Sequence, residues 1–283
     1  VTTPAGFTPT LVGNIWRYSG GSIAAGATAT FVFTVAVGVG VTPNEVVNNS
    51  VQATQVTSLP GTVAGERTTS SNTTTDTFTV PVASFAKSLF STSEPSTTGL
   101  NVTIGEQVTY ALLVTLPEGT TPASLTITDS LPAGLQFLGA SVLTSAASSG
   151  GLLAADFGGT LAPPSVSGGP FGNGTDPTFT FASITTNGDN NTANNTFLIL
   201  VTAQVLDVAG NVGLNPPGQA TLNNSATFDI PGDGIPPFTT PNVQVTVVEP
   251  QVVVTKNITQ TTADAGDVLT ITLTAQNTGT STS

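Results

Sequence analysis

Residues 82–110 read VASFAKSLFSTSEPSTTGLNVTIGEQVTY, and residues 252–272 read VVVTKNITQTTADAGDVLTIT. Both run from an apolar strand with one lysine, through a polar linker, to a Gly-acid pair and an alternating strand. In a strand, residues two apart share a face. Phe85, Lys87 and Leu89 therefore lie together, as do Val252, Val254, Lys256 and Ile258. Each lysine is thus expected to point into an apolar layer. A segment that recurs in this form marks a repeat protein built from β units.

Working outward, VVNNSVQAT at 46–54 matches TLNNSATFD at 221–229, and TTPAGFTPT at 2–10 matches SLPAGLQFL at 130–138. The order of these pieces predicts three regions. Residues 84–250 hold a complete repeat, 1–83 the C-terminal part of one, and 251–283 the N-terminal strands of another. Strands are expected at 28–37, 46–56, 75–82, 84–90, 106–115, 123–129, 135–143, 178–184, 196–205, 220–229, 242–248, 251–258 and 267–276 from period-2 alternation between turn signals. Stretch 144–177, rich in Ser, Gly, Ala and Pro, reads as a long loop. Many short strands without helical periodicity give an all-β chain of tandem immunoglobulin-like sandwiches, one complete and two partial.

Composition narrows function. Only four basic residues stand against sixteen acidic ones, a net charge of −12. Phosphate backbones and anionic membranes need a basic footprint, so neither nucleic acid nor a charged membrane surface is an expected partner. No apolar run is long enough to insert in a bilayer as a helix. Cys and His are absent, which removes disulfides, thiol nucleophiles and the usual general base. No cofactor and no metal is expected. Asp189, Asp229 and Asp233 lack calcium-loop spacing and read as turn residues. Neither a signal segment nor an initiator Met is seen, so the chain reads as a mature product or a piece of a longer protein.

The combined pattern is a Lys-bearing strand, then Gly-acid-x-Val-Thr-Tyr, then Thr-Asp-Ser-Leu-Pro-Ala-Gly-Leu, then Asn-Ser-Ala-Thr-Phe. It resembles the DUF11 repeat family, which looks related to the fimbrial isopeptide-forming domains of surface proteins. The resemblance implies Ig-like sandwiches in tandem on secreted or cell-surface proteins, without enzymatic turnover. One departure is that VTT at 1–3 stands where TDS precedes the same turn, so that acid is missing from the first copy.

Parity also gathers chemistry. Leu222, Asn224, Ala226 and Phe228 share a face, as do Leu125, Ile127 and Asp129. Val47, Asn49, Val51 and Ala53 do so in the first copy. A Lys, an Asn and an acid in one core are costly unless they satisfy one another. Burial favours the neutral amine and the protonated acid. A neutral amine can attack an amide carbonyl, releasing ammonia and leaving an isopeptide bond. The candidate intramolecular bond joins Lys87 to Asn224, helped by Asp129 or Glu106. The candidate intersubunit pair is Lys256 with Asn49, helped by Asp267. The alternative is a plain hydrogen-bonded Lys–Asp or Lys–Asn pair.

Eight N-x-[ST] sequons begin at Asn48, Asn72, Asn101, Asn173, Asn190, Asn194, Asn223 and Asn257. Asn72, Asn173, Asn190 and Asn194 fall in expected surface loops and are the candidates for glycans. With no His and no nucleophile elbow, a hydrolase triad has no support. Aromatics make up 6%, too few for an expected sugar-binding platform. The favoured reading is a structural subunit of an extracellular or cell-surface filament. Its partial domains complete one another head to tail by β-strand addition, so the partner is a second copy of the chain. The other reading is a stalk or adhesin segment within a long repeat array.

Overall fold

The structure, a computed structural model, describes every residue except 60–62, 214–218 and 282–283. The chain forms two compact units, residues 1–38 with 45–80, and residues 39–44 with 81–283. Residues 251–283, read from sequence as a separate partial repeat, are grouped with the second unit.

The second unit holds a β-sandwich of the immunoglobulin-like kind. One sheet orders its strands Leu135–Leu143, Thr196–Val205, Gln107–Thr115 and Ser84–Thr92. The other runs Ser165–Ser167, Thr178–Phe181, Leu125–Ser130, Thr221–Asp229, Val243–Val247 and Asn101–Val102, with Phe238–Thr239 added beside Thr221–Asp229. Alternation dictates which side chains go inside. Along Leu125–Ser130 and Thr221–Asp229, buried positions alternate with less buried ones. The inner faces meet in one core that includes Leu112, Val114, Ile127, Phe179, Phe197, Phe228 and Val245. Phe85 from one sheet stacks on Phe228 from the other with ring centroids 5.3 Å apart. Each such fully buried apolar side chain contributes about 1.5–3 kcal/mol.

The Val252–Ile258 and Ile271–Asn277 strands form a separate two-stranded antiparallel sheet within the second unit. The strand expected at 267–276 therefore begins four residues later, because 263–267 is used in a turn. There the Asp264 amide donates to Asp267 Oδ2 at 2.7 Å, and Gly266 takes a φ of +102° that favours glycine.

Among the described residues the first unit forms three two-stranded pairs: Phe7–Val12 with Ile15–Gly20, Val46–Val51 with Thr74–Thr79, and Val56–Thr57 with Thr68–Thr69. The strand expected at 28–37 does not form. Apart from one bridge between Thr2 and Val32, this segment has no ladder. Its apolar alternation is intact, but a strand needs a neighbour to take its backbone hydrogen bonds. The stretch 144–177 also departs from expectation. It contains Gly159–Thr160 and Ser165–Ser167, each paired to a neighbouring strand, and a 3-10 turn at Ala146–Ser148.

Candidate functional site

The lysine strand Ser84–Thr92 lies at the edge of its sheet, hydrogen-bonded to Gln107–Thr115, with Lys87 directly opposite Leu112. Parity turns Lys87 inward beside buried Phe85. Across the sandwich, Asp129 pairs with Ala226 in the ladder between Leu125–Ser130 and Thr221–Asp229, which places Asn224 one inward position along the same strand. Three side chains from two sheets thereby converge in the core.

Lys87 Nζ donates to Asp129 Oδ1 at 2.5 Å and to the Ser225 carbonyl at 3.1 Å. The side chains of both Lys87 and Asp129 are sealed from solvent. The ammonium also lies 4.8 Å from the centroid of the Tyr110 ring. Asn224 and Tyr110 are fully buried. Asp129 Oδ2, both polar atoms of the Asn224 amide and the Tyr110 hydroxyl have no hydrogen-bond partner. Buried polar groups are nearly always satisfied, and each orphan costs about 1–3 kcal/mol. The Asn224 amide still lies near enough to Asp129 and Tyr110 to favour their charged forms, so the cluster is polar and under-satisfied without the strict hydrogen-bond geometry being met.

Burial sets the protonation states. Desolvation lowers the Lys87 pKa to about 8, against the opposing pull of Asp129 and a smaller one from Asp176. Desolvation raises Asp129, opposed by Lys87 and the Asn224 amide. Tyr110 is raised by burial and then by Asp129, opposed by Asn224, so it stays a neutral phenol. Burial thus brings the amine and the carboxyl closer in proton affinity. Passing the proton from Lys87 to Asp129 would leave a neutral amine beside an amide and a carboxylic acid able to polarise that amide's carbonyl.

Glu106, the other acid proposed from sequence, is not part of this cluster. Its Oε1 accepts from the Glu94 amide at 3.1 Å and its Oε2 from the Thr103 amide at 2.8 Å, while Thr97 Oγ1 donates to both oxygens. Glu106 organises the loop before its strand. Asp267 does the same in the other copy, accepting from the amide three residues before it as Glu106 does. The Gly-acid motif is thus a turn device, with Gly105 at φ +87° and Gly266 at +102°.

Lys256 and Asn49, the other sequence-derived pair, lie on exposed strands of different units. Lys256 stands opposite Leu273, and Asn49 opposite Asp76. Sequence reasoning missed Tyr110 and Asp76. The tyrosine was visible by parity with Val108, but the Asp76 placement needs the strand pairing.

Among the glycan candidates, Asn72, Asn173 and Asn190 are exposed. Asn173 Oδ1 accepts from the Gly134 amide. Asn194 is only half exposed: its Nδ2 donates to Asp189 Oδ2 at 3.0 Å, and its Oδ1 is buried. Among the described residues no cluster of acids is arranged to hold a metal ion, and no helix is long and apolar enough to cross a membrane.

No family model matches the chain, and no curated protein matches it. Solved structures similar to it include the C-terminal domain of the AgI/II polypeptide BspA from Streptococcus agalactiae, at 12% identity and a TM-score of 0.38, covering 63% of this chain and 54% of that one. Another is the major pilin subunit BcpA of Bacillus cereus, at 12% identity and a TM-score of 0.36, covering 70% and 56%. A third is the major pilin SpaD of Corynebacterium diphtheriae, at 13% identity and a TM-score of 0.31, covering 66% and 40%. The chain spans about half the length of the first of these structures or less.

Proposed function

We propose that the chain is a non-enzymatic structural subunit of an extracellular or cell-surface filament. In this reading the hairpin 252–277 of one copy completes the first unit of the next. Inside the intact sandwich, Lys87 and Asn224 join through an isopeptide bond that lets early and late strands bear load together.

One observation carries the assembly reading. The terminal pieces keep the intact sandwich's registers residue for residue, with their inward faces uncovered. Lys256 opposite Leu273 repeats Lys87 opposite Leu112, and Val254 opposite Ala275 repeats Phe85 opposite Val114. In the first unit, Val47 opposite Phe78 and Asn49 opposite Asp76 repeat Leu222 opposite Val245 and Asn224 opposite Val243. Yet Leu112 is 0% exposed and Leu273 is 67%. The hairpin carries one half of a sandwich and the first unit carries strands of the other half.

The backbone supports the same fit. Gln107–Thr115 lies between Ser84–Thr92 and Thr196–Val205, whereas among the described residues its counterpart Ile271–Asn277 pairs with Val252–Ile258 alone. Segment 28–37 has the place of Thr196–Val205 in the repeat order and contains Thr30-Phe31, as that strand begins with Thr196-Phe197. It lacks a ladder neighbour. The open edge of one copy's hairpin would supply it by strand addition, and such head-to-tail contacts extend without closing.

Two measurements test this. Purified full-length chain should form fibres of regular repeat by electron microscopy and grow in light scattering with concentration. A chain that stays monomeric at high concentration would overturn the assembly. Intact mass should fall short of the sequence mass by one ammonia for the internal bond. A mass with nothing missing overturns that bond alone.

A further inference from the structure

In the intact sandwich the acid beside the reactive pair is Asp129, on the strand flanking one side of Thr221–Asp229. The matching position in the first copy is Val1. On the other side of Val46–Val51, however, strand Thr74–Thr79 places Asp76 directly opposite Asn49. The corresponding position in the intact sandwich is Val243. Opposite Asn49 the first unit thus carries an acid where the sandwich carries a valine. Directly opposed residues in an antiparallel pair point to the same side of the sheet, with Cβ atoms about 4.5–5.5 Å apart. Asn49, Asp76, Val47 and Phe78 thus share the face that the incoming hairpin would cover, and both Asn49 and Asp76 are open to receive it.

The hairpin brings the missing nucleophile. Lys256 occupies the register of Lys87, on the same face as Val254 and Ile258, which are also exposed. Asp267 has a different task, since its carboxylate accepts the Asp264 amide in the turn as Glu106 accepts Thr103. Asp76 uses Oδ1 for the neighbouring Thr77 amide at 2.9 Å, a local contact that leaves the carboxylate on the strand face.

We propose that Asp76 is the proton-carrying acid for an intermolecular isopeptide bond between Lys256 of one copy and Asn49 of the next, an inference that rests on the assembly reading above. The Lys256 ammonium gives one proton to the Asp76 carboxylate, and the neutral amine attacks Asn49 Cγ. A new C–N bond forms to Lys256 and the carboxamide C–N bond breaks. Asp76 passes its proton to the departing nitrogen, the second amine proton completes the leaving ammonium ion, and Asp76 ends as it began. The joint then gains a covalent tie, and every additional tie releases one ammonia.

The experiment uses assembled full-length chain, analysed by denaturing gel and by mass spectrometry of tryptic peptides, alongside Asp76→Ala, Asp267→Ala and Lys256→Arg. The unmodified chain should give a ladder of multimers stable to boiling in detergent, with a peptide joining Lys256 to Asn49. Lys256→Arg and Asp76→Ala should still assemble by light scattering but lose the ladder at least tenfold. Asp267→Ala should keep it. Fibres that dissolve wholly to single chains overturn the covalent tie and leave the assembly standing. A ladder that survives Asp76→Ala but not Asp267→Ala overturns the role of Asp76. Absence of any fibre overturns the assembly and this inference with it. Asp76 lies on an exposed strand outside the sandwich core, so unchanged melting of the intact domain in the Asp76→Ala chain separates lost chemistry from lost folding.

Discussion

The lysine strand occurs twice in this chain, once inside a closed sandwich and once on an open hairpin. Phe85, Tyr110 and Leu112 are buried, while their counterparts Val254, Ile271 and Leu273 lie exposed in an identical register. The paired register is the same in both, although Gln107–Thr115 starts directly after Glu106 and Ile271–Asn277 starts four residues after Asp267. What differs is the second sheet. It seals Lys87 and Asp129 from water, lowers the lysine to about 8 and orphans the Asn224 amide. The comparison teaches that the sequence motif positions the lysine, and closure of the sandwich buries it and lowers its pKa.

The sharpest way to break this comparison is to place one substitution at both equivalent positions. Leu112→Asp buries an unpaired carboxylate in the core and should unfold the intact domain, costing more than about 4 kcal/mol. Leu273→Asp should leave the domain's melting temperature within about one degree, because the site is exposed, but should stop assembly. Calorimetry and light scattering on the two variants read both effects. Equal effects on melting would erase the distinction between the two regions.

Next in size is the internal bond. A crosslink spanning well over a hundred residues contributes about 4–5 kcal/mol through the unfolded chain. Asn224→Ala should remove it and lower the melting temperature by about 10–20 °C. Asp129→Ala should fall further, because Lys87 would then be buried without its partner. Thermal melts should rank wild type, Asn224→Ala and Asp129→Ala in that order. Wild type and Asn224→Ala melting together would show that no crosslink exists.

The smallest effect is a pH slope. In Asn224→Ala the lysine stays titratable, with its folded pKa near 8 below the ordinary 10.5. Between those values the unfolded chain holds more protons than the folded one, so stability rises with pH. Below about 8 both states are protonated and the burial cost is present in full. A wild type linked as proposed would have an amide in place of the amine and should show no such rise. Melting scans from pH 7 to 10.5 compare the slopes.

Much of the intact site was legible because strand parity is local. Phe85 and Leu89 flank Lys87 in sequence, Leu222 and Ala226 flank Asn224, and Ile127 and Leu131 flank Asp129. Alternation alone turned all three inward, and the described structure places them so. What remained hidden depends on pairing between distant segments. The turn role of Glu106 follows from amides at 94 and 103, which parity does not reach. Segment 28–37 has every local feature of a strand and lacks only a neighbour. Asp76 gains meaning only once Thr74–Thr79 pairs with Val46–Val51 in the register of Val243–Val247.

That segment also offers the most direct test of assembly. Backbone hydrogen exchange at 28–37 reads whether the strand finds a neighbour, and 271–277 reads the edge that would supply it. In assembled material both segments should become strongly protected, while 28–37 in the isolated chain exchanges freely. If 28–37 exchanges as fast in the assembled material as in the isolated chain, strand addition is not how these molecules join.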